Sequence, residues 1–250
     1  YSGLARALWL IASRMRNGRN ASTRRASSRG DRGTLGVNGL AGRFDLIETM
    51  AFDPASGLPM LELHAARMQA SADVLGFRFD RHKLRNELQA ATFGFVEPKR
   101  VRVLLARSGE MAVEVRAHAP WPDAIVPVSI VPRTLPADDI RWHHKTTDRR
   151  HYDAALRQGG TLEVLLLDEG GYLTEGCFSS IFVERGDRLL TPPLARGLLP
   201  GVLRQSLLDL GEAEEADLKP RDLEKGFFIG NAARGLVAAS VVAPKVARAD

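Results

Sequence analysis

Apolar positions along the chain switch between the spacing of strands and the spacing of helices, and the switches divide it into two units. Residues 44–52 read as a strand, residues 53–57 as a turn, and residues 59–63 as a second short strand. From His64 onward Ala65, Met68, Ala72 and Leu75 recur at helical spacing, and Gly76 ends the run. A second helix is predicted over 81–91. Residues 101–105 and 111–115 alternate about Ser108-Gly109, the pattern of a hairpin, and residues 128–131 give a last strand beyond three prolines. Residues 41–131 therefore read as a small α+β domain, with 132–139 as a linker.

A larger domain is predicted over 140–250. It opens on the continuous apolar run 164–167, a buried strand, and turns at 168–171. A strand from Tyr172 to Thr174 follows, with Glu175 at its far end. Residues 180–183 and 188–190 flank Arg185-Gly186-Asp187 as a second hairpin. Pro200 precedes a helix over 202–210, then come an acidic connection at 212–217, a strand at 218–220, a short helix at 221–225 and a strand at 226–229. Residues 230–235 form a polar turn of small residues, and no internal repeat is evident.

Composition narrows the function classes. No run of eighteen apolar residues exists, so no membrane span is expected. The single cysteine, Cys177, excludes an internal disulfide framework, fits a reducing, cytoplasmic setting and reads as an inert buried thiol. The net charge of +5 belongs to one segment. Residues 1–40 hold eight arginines and one acid, Asp31, which leaves the remainder slightly acidic. This basic, Ser- and Gly-rich stretch is expected to be a disordered tail. It reads as a transit-like presequence, a nucleic-acid-binding arm or the remnant of an upstream domain, and the last is favoured.

Two features of residues 161–204 carry candidate chemistry. An acid stands at a strand end, and a Pro-Gly pair opens a helix whose first N–H groups can face an anion. That layout suits a phosphorylated cofactor, and spacing alone suits an ordinary β-rich core equally well. The motifs FDLIETM (44–50), HAARMQASADVLGF (64–77), HKTTDRRHYD (144–153), LTEGCFSSIFV (173–183), TPPLARGLLPGVLR (191–204) and GNAARGL (230–236) decide between them. Taken in this order they resemble the class IV, or fold type IV, pyridoxal-phosphate enzymes, over residues 39–250.

The resemblance implies a two-domain α/β (α+β) fold like that of D-amino-acid aminotransferase, a homodimer, and pyridoxal 5'-phosphate in the cleft between domains. By motif position Lys145 would bond the cofactor, and Glu175 would face its pyridinium nitrogen. Arg67, the backbone of Gly201 and Val202, and Asn231 would hold its phosphate, while Leu199 would pack on its ring. Arg234 is the expected substrate contact. Within the family the motifs lean toward the lyases that turn 4-amino-4-deoxychorismate into 4-aminobenzoate and pyruvate, some of them fused behind a chorismate-processing synthase domain. Such a fused or associated aminodeoxychorismate synthase is the expected partner, and Thr49 the expected proton donor. The alternatives are a branched-chain or D-amino-acid aminotransferase and a non-catalytic remnant. Ser180 replaces the family's usual Asn, which puts a hydrogen bond near Glu175 in doubt, and Ile47 replaces its usual Phe. His143, His144 and His151 lack a companion at recognisable ligand spacing, so no metal is expected, and neither is nucleic acid or a membrane partner.

Overall fold

The computed structural model describes residues 44–243, so the basic segment 1–40 and the readings placed on it lie outside the described residues. The chain begins with β1 (Leu46–Phe52), α1 (Leu61–Leu75) and α2 (Arg81–Thr92), followed by β2 (Lys99–Leu105) and β3 (Met111–Ala117). These strands form an antiparallel sheet in the order β1-β2-β3. Alternation decides which face is dry. Leu46, Met50 and Phe52 of β1 join Val101, Val103 and Leu105 of β2 against Ala65, Met68, Leu75, Leu84 and Leu88 of the two helices. The residues between them point to the other face, where register sets Thr49 opposite Arg102 and Ala51 opposite Arg100.

The expected strand at 59–63 is not formed. Met60 takes a left-handed conformation, φ 60°, and the helix starts at Leu61. The physical reason was present in the spacing, because Leu61 extends the series Ala65, Met68, Ala72, Leu75 by one further turn. Gly76 ends the helix as expected, with φ 71° and its N–H on the Ala72 carbonyl.

Next come β4 (Ile125–Pro132), the short α3 (Ile140–His143), α4 (Arg150–Gly159), β5 (Glu163–Leu167), β6 (Leu173–Gly176), β7 (Ser180–Arg185) and β8 (Arg188–Thr191). The chain finishes with α5 (Val202–Asp209), β9 (Ala213–Glu215), a 3₁₀ turn at Pro220–Leu223, β10 (Phe227–Asn231) and β11 (Gly235–Val241). The strands build one eight-stranded sheet in the order β6-β5-β4-β11-β10-β7-β8-β9. β4 runs parallel to both β5 and β11. The strand expected to close the small unit at 131 thus belongs to the second sheet, and the change of sheet falls before β4 rather than after it.

No strand occupies 218–220. Leu218 is buried, and its carbonyl accepts a single bond from Leu173 N–H, 2.8 Å. The edge strand lies instead inside the acidic connection, where only Ala213 of β9 is buried. One topological feature positions the site. β6 is an edge strand and β7 lies five places away in the sheet order, yet only residues 177–179 join them. Three residues span roughly 10 Å, so the sheet curls until β6 and β7 lie side by side. The end of β6, carrying Glu175, and the start of β7, carrying Ser180, come together at the mouth of that curl.

Candidate active site

A cavity of about 440 Å³ opens between the small sheet and the curled sheet. Its wall includes every residue given a catalytic or binding role from the sequence: Thr49, Arg67, Lys145, Glu175, Leu199, Gly201, Val202, Asn231 and Arg234. These come from six separate stretches of chain, so the fold, and not proximity in sequence, assembles them.

Lys145 is fixed through its backbone. Its carbonyl accepts from Ile47 N–H at 3.0 Å, Leu46 bridges Thr146, and Thr147 N–H reaches the Asp45 carbonyl at 2.9 Å. The segment that carries the lysine thus pairs alongside the start of β1. The side-chain ammonium has no hydrogen bond or ion pair with a described residue. Burial first, then the charges of Arg149 and Arg67, bring its pKa down to about 7. Roughly half of the amine is therefore available as a neutral nucleophile near neutral pH.

Glu175 is 5% exposed. Tyr152 Oη donates to its Oε1 at 2.7 Å and Leu199 N–H donates to its Oε2 at 3.2 Å. Burial outweighs both bonds and pushes the carboxyl up to about 7. Neither bond comes from residue 180, so the Ser180 departure leaves both of these Glu175 contacts in place. Ser180 instead faces the helix start: a Cβ on Gly201 would come within 2.5 Å of its Oγ. A side chain at Gly201 would thus displace the Ser180 hydroxyl. It caps α5 with no side-chain bond, and the first N–H groups of that helix have no intrahelical acceptor. Gly201, Val202 and Leu203 all border the cavity.

Arg67 does not stand free beside this helix start. Its Nε and Nη2 donate to Glu48 Oε1 and Oε2 at 2.8 and 2.6 Å, and Nη1 donates to the Pro200 carbonyl at 3.0 Å. Glu48 also takes His64 Nδ1 at 2.6 Å. Burial opposes its charge, but Arg67 and His64 together hold the carboxyl at about 2. Glu48 and His64 were not singled out from the sequence, although both lie inside quoted motifs. The signal was parity: position 48 shares the inward face of β1 with Leu46 and Met50, where a lone carboxylate demands partners.

Asn231 is more committed than expected. Its Nδ2 donates to the Phe178 carbonyl at 3.0 Å, and its Oδ1 accepts from Ala233 and Arg234 N–H at 3.0 and 2.9 Å. One N–H remains for a ligand. The Arg234 guanidinium lies over the Trp121 ring, 5.0 Å from its centroid. Cys177 is buried, and burial raises its thiol pKa, as an inert core cysteine requires. Of the three histidines, His144 Nδ1 lies 3.0 Å from Ser71 Oγ and His151 packs edge-on against Trp142. Arg100 and Arg102, also missed, bring two more cations to the wall. Neither guanidinium forms a hydrogen bond or ion pair with a described residue, and the Arg102 Nε is buried without a partner.

The chain as a whole is similar to known proteins. The amino-transferase class IV family matches residues 45–242. A candidate amino-acid aminotransferase from Mesorhizobium loti, known from its crystal structure, is 36% identical with a TM-score of 0.72, covering 80% of this chain and 100% of that one. A candidate aminodeoxychorismate lyase from Schizosaccharomyces pombe is 28% identical over 69% of this chain and 77% of its own length. A candidate branched-chain-amino-acid aminotransferase from Thermotoga maritima is 27% identical over 63% of this chain and 60% of its own. The chain therefore belongs to the class IV aminotransferase family, whose cofactor is pyridoxal 5'-phosphate.

Proposed function

We propose that the chain is a lyase that converts 4-amino-4-deoxychorismate to 4-aminobenzoate and pyruvate. The residues present fit the family's cofactor. Lys145 offers an amine of lowered pKa for covalent attachment, Glu175 a buried carboxylate for the ring nitrogen, and Arg67 with the start of α5 a cationic, N–H-rich end for the phosphate. Held there, the cofactor would supply an electron sink for the substrate carbon that bears nitrogen. Everything else falls to side chains. Lys145 takes the proton from the ring carbon that bears nitrogen. The carbon–oxygen bond to the enolpyruvyl group breaks as the ring becomes aromatic, and Thr49 gives the departing group the proton that completes pyruvate. Arg234 and the unpaired arginines hold the carboxylates.

The observation that carries this reading is the cross-strand pair Thr49–Arg102, both on the cavity wall. The substrate carries two carboxylates, one of them on the group that leaves. A hydroxyl opposite an unpaired guanidinium suits a proton delivered beside a carboxylate. A branched aliphatic side chain would gain nothing from that wall. The second reading, amino-acid transamination, draws on the 36% identity to the Mesorhizobium protein. It needs only Lys145 to move the proton. The enzyme is expected to work as a cytoplasmic homodimer, supplied by an aminodeoxychorismate synthase.

Incubation with 4-amino-4-deoxychorismate, and separately with amino acids plus a 2-oxo acid, followed by product identification, tests the assignment. 4-Aminobenzoate and pyruvate in equal amounts are expected. Amino-group exchange without 4-aminobenzoate overturns the lyase reading.

A further inference from the structure

His64 occupies the first turn of α1, is 1% exposed and borders the cavity. Its Nδ1 meets a carboxylate held at about 2, so Glu48 can only accept and Nδ1 must carry the hydrogen. In the neutral ring the lone pair is then on Nε2, which is buried and has no partner among the described residues. A buried nitrogen left unpaired is costly unless something else satisfies it. The cavity that His64 borders holds the groups of an anion site: Arg67 one turn along the same helix, and the uncapped start of α5 tied to Arg67 through the Pro200 carbonyl. The charged groups facing the ring are Glu48 on β1, Arg67 on α1 and Lys145 in the connection between α3 and α4. Burial, ahead of the attraction of Glu48, keeps the ring's pKa below its ordinary value.

We propose that His64 Nε2 is part of the cofactor's phosphate site, and that phosphate binding draws one proton from solvent onto the His64–phosphate pair. A phosphate ester loses its second proton near pH 6. Above that it arrives as a dianion, and a bare lone pair would repel it. One proton between nitrogen and phosphate oxygen turns that repulsion into a charge-assisted hydrogen bond. The sign follows from linkage. The pair holds its proton more tightly in the complex than its separate members do, so affinity is greatest at acid pH. It declines, by up to about tenfold per pH unit, as pH rises between the free and bound values. This inference rests on the family's cofactor and is independent of the lyase reading.

The probe is pyridoxamine 5'-phosphate, which has no aldehyde to react with Lys145, titrated calorimetrically into cofactor-stripped protein at pH 7.5. Two buffers of different ionisation heat give the proton count, and pyridoxamine, lacking the phosphate, is the control. His64→Asn keeps an amide donor where Nδ1 meets Glu48 and removes the second nitrogen. His64→Gln puts a non-titrating amide donor near the Nε2 position. The wild type is expected to take up about one proton more than either variant and more than it does with pyridoxamine, and its affinity should fall with pH more steeply than theirs. Equal uptake in wild type and His64→Asn, or with and without the phosphate, would overturn the proposal, because the proton would then belong to Lys145 or Glu175. Should both variants fail to fold, the ring nitrogen shifts of His64 in the wild type decide. Nε2 must change from bare to protonated on adding the probe, and an unchanged shift rejects the assignment.

Discussion

Tyr152 Oη donates to Glu175 Oε1 across 2.7 Å, with both side chains buried, and so a residue from α4 fixes the carboxylate at the end of β6. Tyr152→Phe removes that donor and leaves Glu175 with the Leu199 N–H. A hydrogen bond to a charged group is worth roughly 1.5–3 kcal/mol, so the carboxyl should hold its own proton more tightly and polarise the cofactor ring less. Turnover is expected to fall about tenfold or more with cofactor occupancy unchanged, read from visible absorbance. Glu175→Gln should act in the same direction and at least as strongly. If Tyr152→Phe costs nothing while Glu175→Gln is slow, the tyrosine only packs.

Two groups in the cavity make the cofactor-free protein's stability depend on pH in opposite senses. Glu175 has its pKa raised from 4.5 to about 7, so it binds a proton in the folded state that it lacks unfolded, and stability declines as pH rises through that window. Lys145 has its pKa lowered from 10.5 to about 7, so the unfolded state binds the extra proton, and stability recovers as pH rises above neutral. Glu163, His144 and His151 also titrate between pH 4 and pH 7, so the test is the difference between wild type and each variant in urea unfolding. Glu175→Gln should remove a contribution that falls between about pH 4.5 and 7, and Lys145→Met one that rises between about pH 7 and 10.5. Differences that do not change with pH in either variant would mean that neither group titrates as its burial requires.

The parts legible in the sequence were those set by local pattern. Gly76, Ser108-Gly109 and Arg185-Gly186-Asp187 marked turns where the backbone needs them, and the apolar spacing located α1, α2 and α5 within a few residues. The strands missed depend on distant partners. β11 is diluted by Ala238, Ala239 and Ser240, and it becomes a strand by pairing between β4 and β10. β4 could be recognised as a strand, but nothing local told which sheet it joins. The same division holds in the site. Lys145, Glu175 and Arg67 were found through motif resemblance. Glu48, His64, Tyr152 and Arg102 matter because of what they touch, or fail to touch, once the chain has folded.

For Arg67 the expected effect is on binding. A charge-assisted phosphate contact is worth roughly 1.5–3 kcal/mol, so Arg67→Ala should weaken cofactor affinity ten- to a hundredfold. The bidentate pair with Glu48 adds a second consequence. Removing the arginine leaves a buried carboxylate with His64 as its only side-chain partner among the described residues, and Arg67→Ala should also lose thermal stability. Glu48→Gln combined with Arg67→Ala should restore part of the stability and none of the affinity. Restored affinity in the double variant would mean that Arg67 acts only by neutralising Glu48.

Thr49 and Arg102 face each other across β1 and β2, and the lyase reading gives them separable tasks. If Thr49 delivers the proton to the leaving enolpyruvyl group, Thr49→Val removes a general acid and leaves the shape nearly unchanged. Such a group contributes roughly 10²–10⁴-fold, so 4-aminobenzoate formation should fall by that range in kcat with the cofactor still bound. If Arg102 grips the carboxylate of the same group, Arg102→Met keeps much of the stem's bulk and loses the charge. Its effect should appear chiefly in KM, tenfold or more for a charge-assisted bond. The alternative for Thr49 is a strand threonine present for its β-propensity, and for Arg102 a solvated cation at the cavity mouth. Those alternatives predict wild-type lyase kinetics in both variants. A transaminase predicts something else: amino-group exchange indifferent to Thr49→Val, because Lys145 alone returns the proton. Measuring both reactions on the same two variants therefore separates a lyase with a built proton donor from a transaminase that merely shares its scaffold.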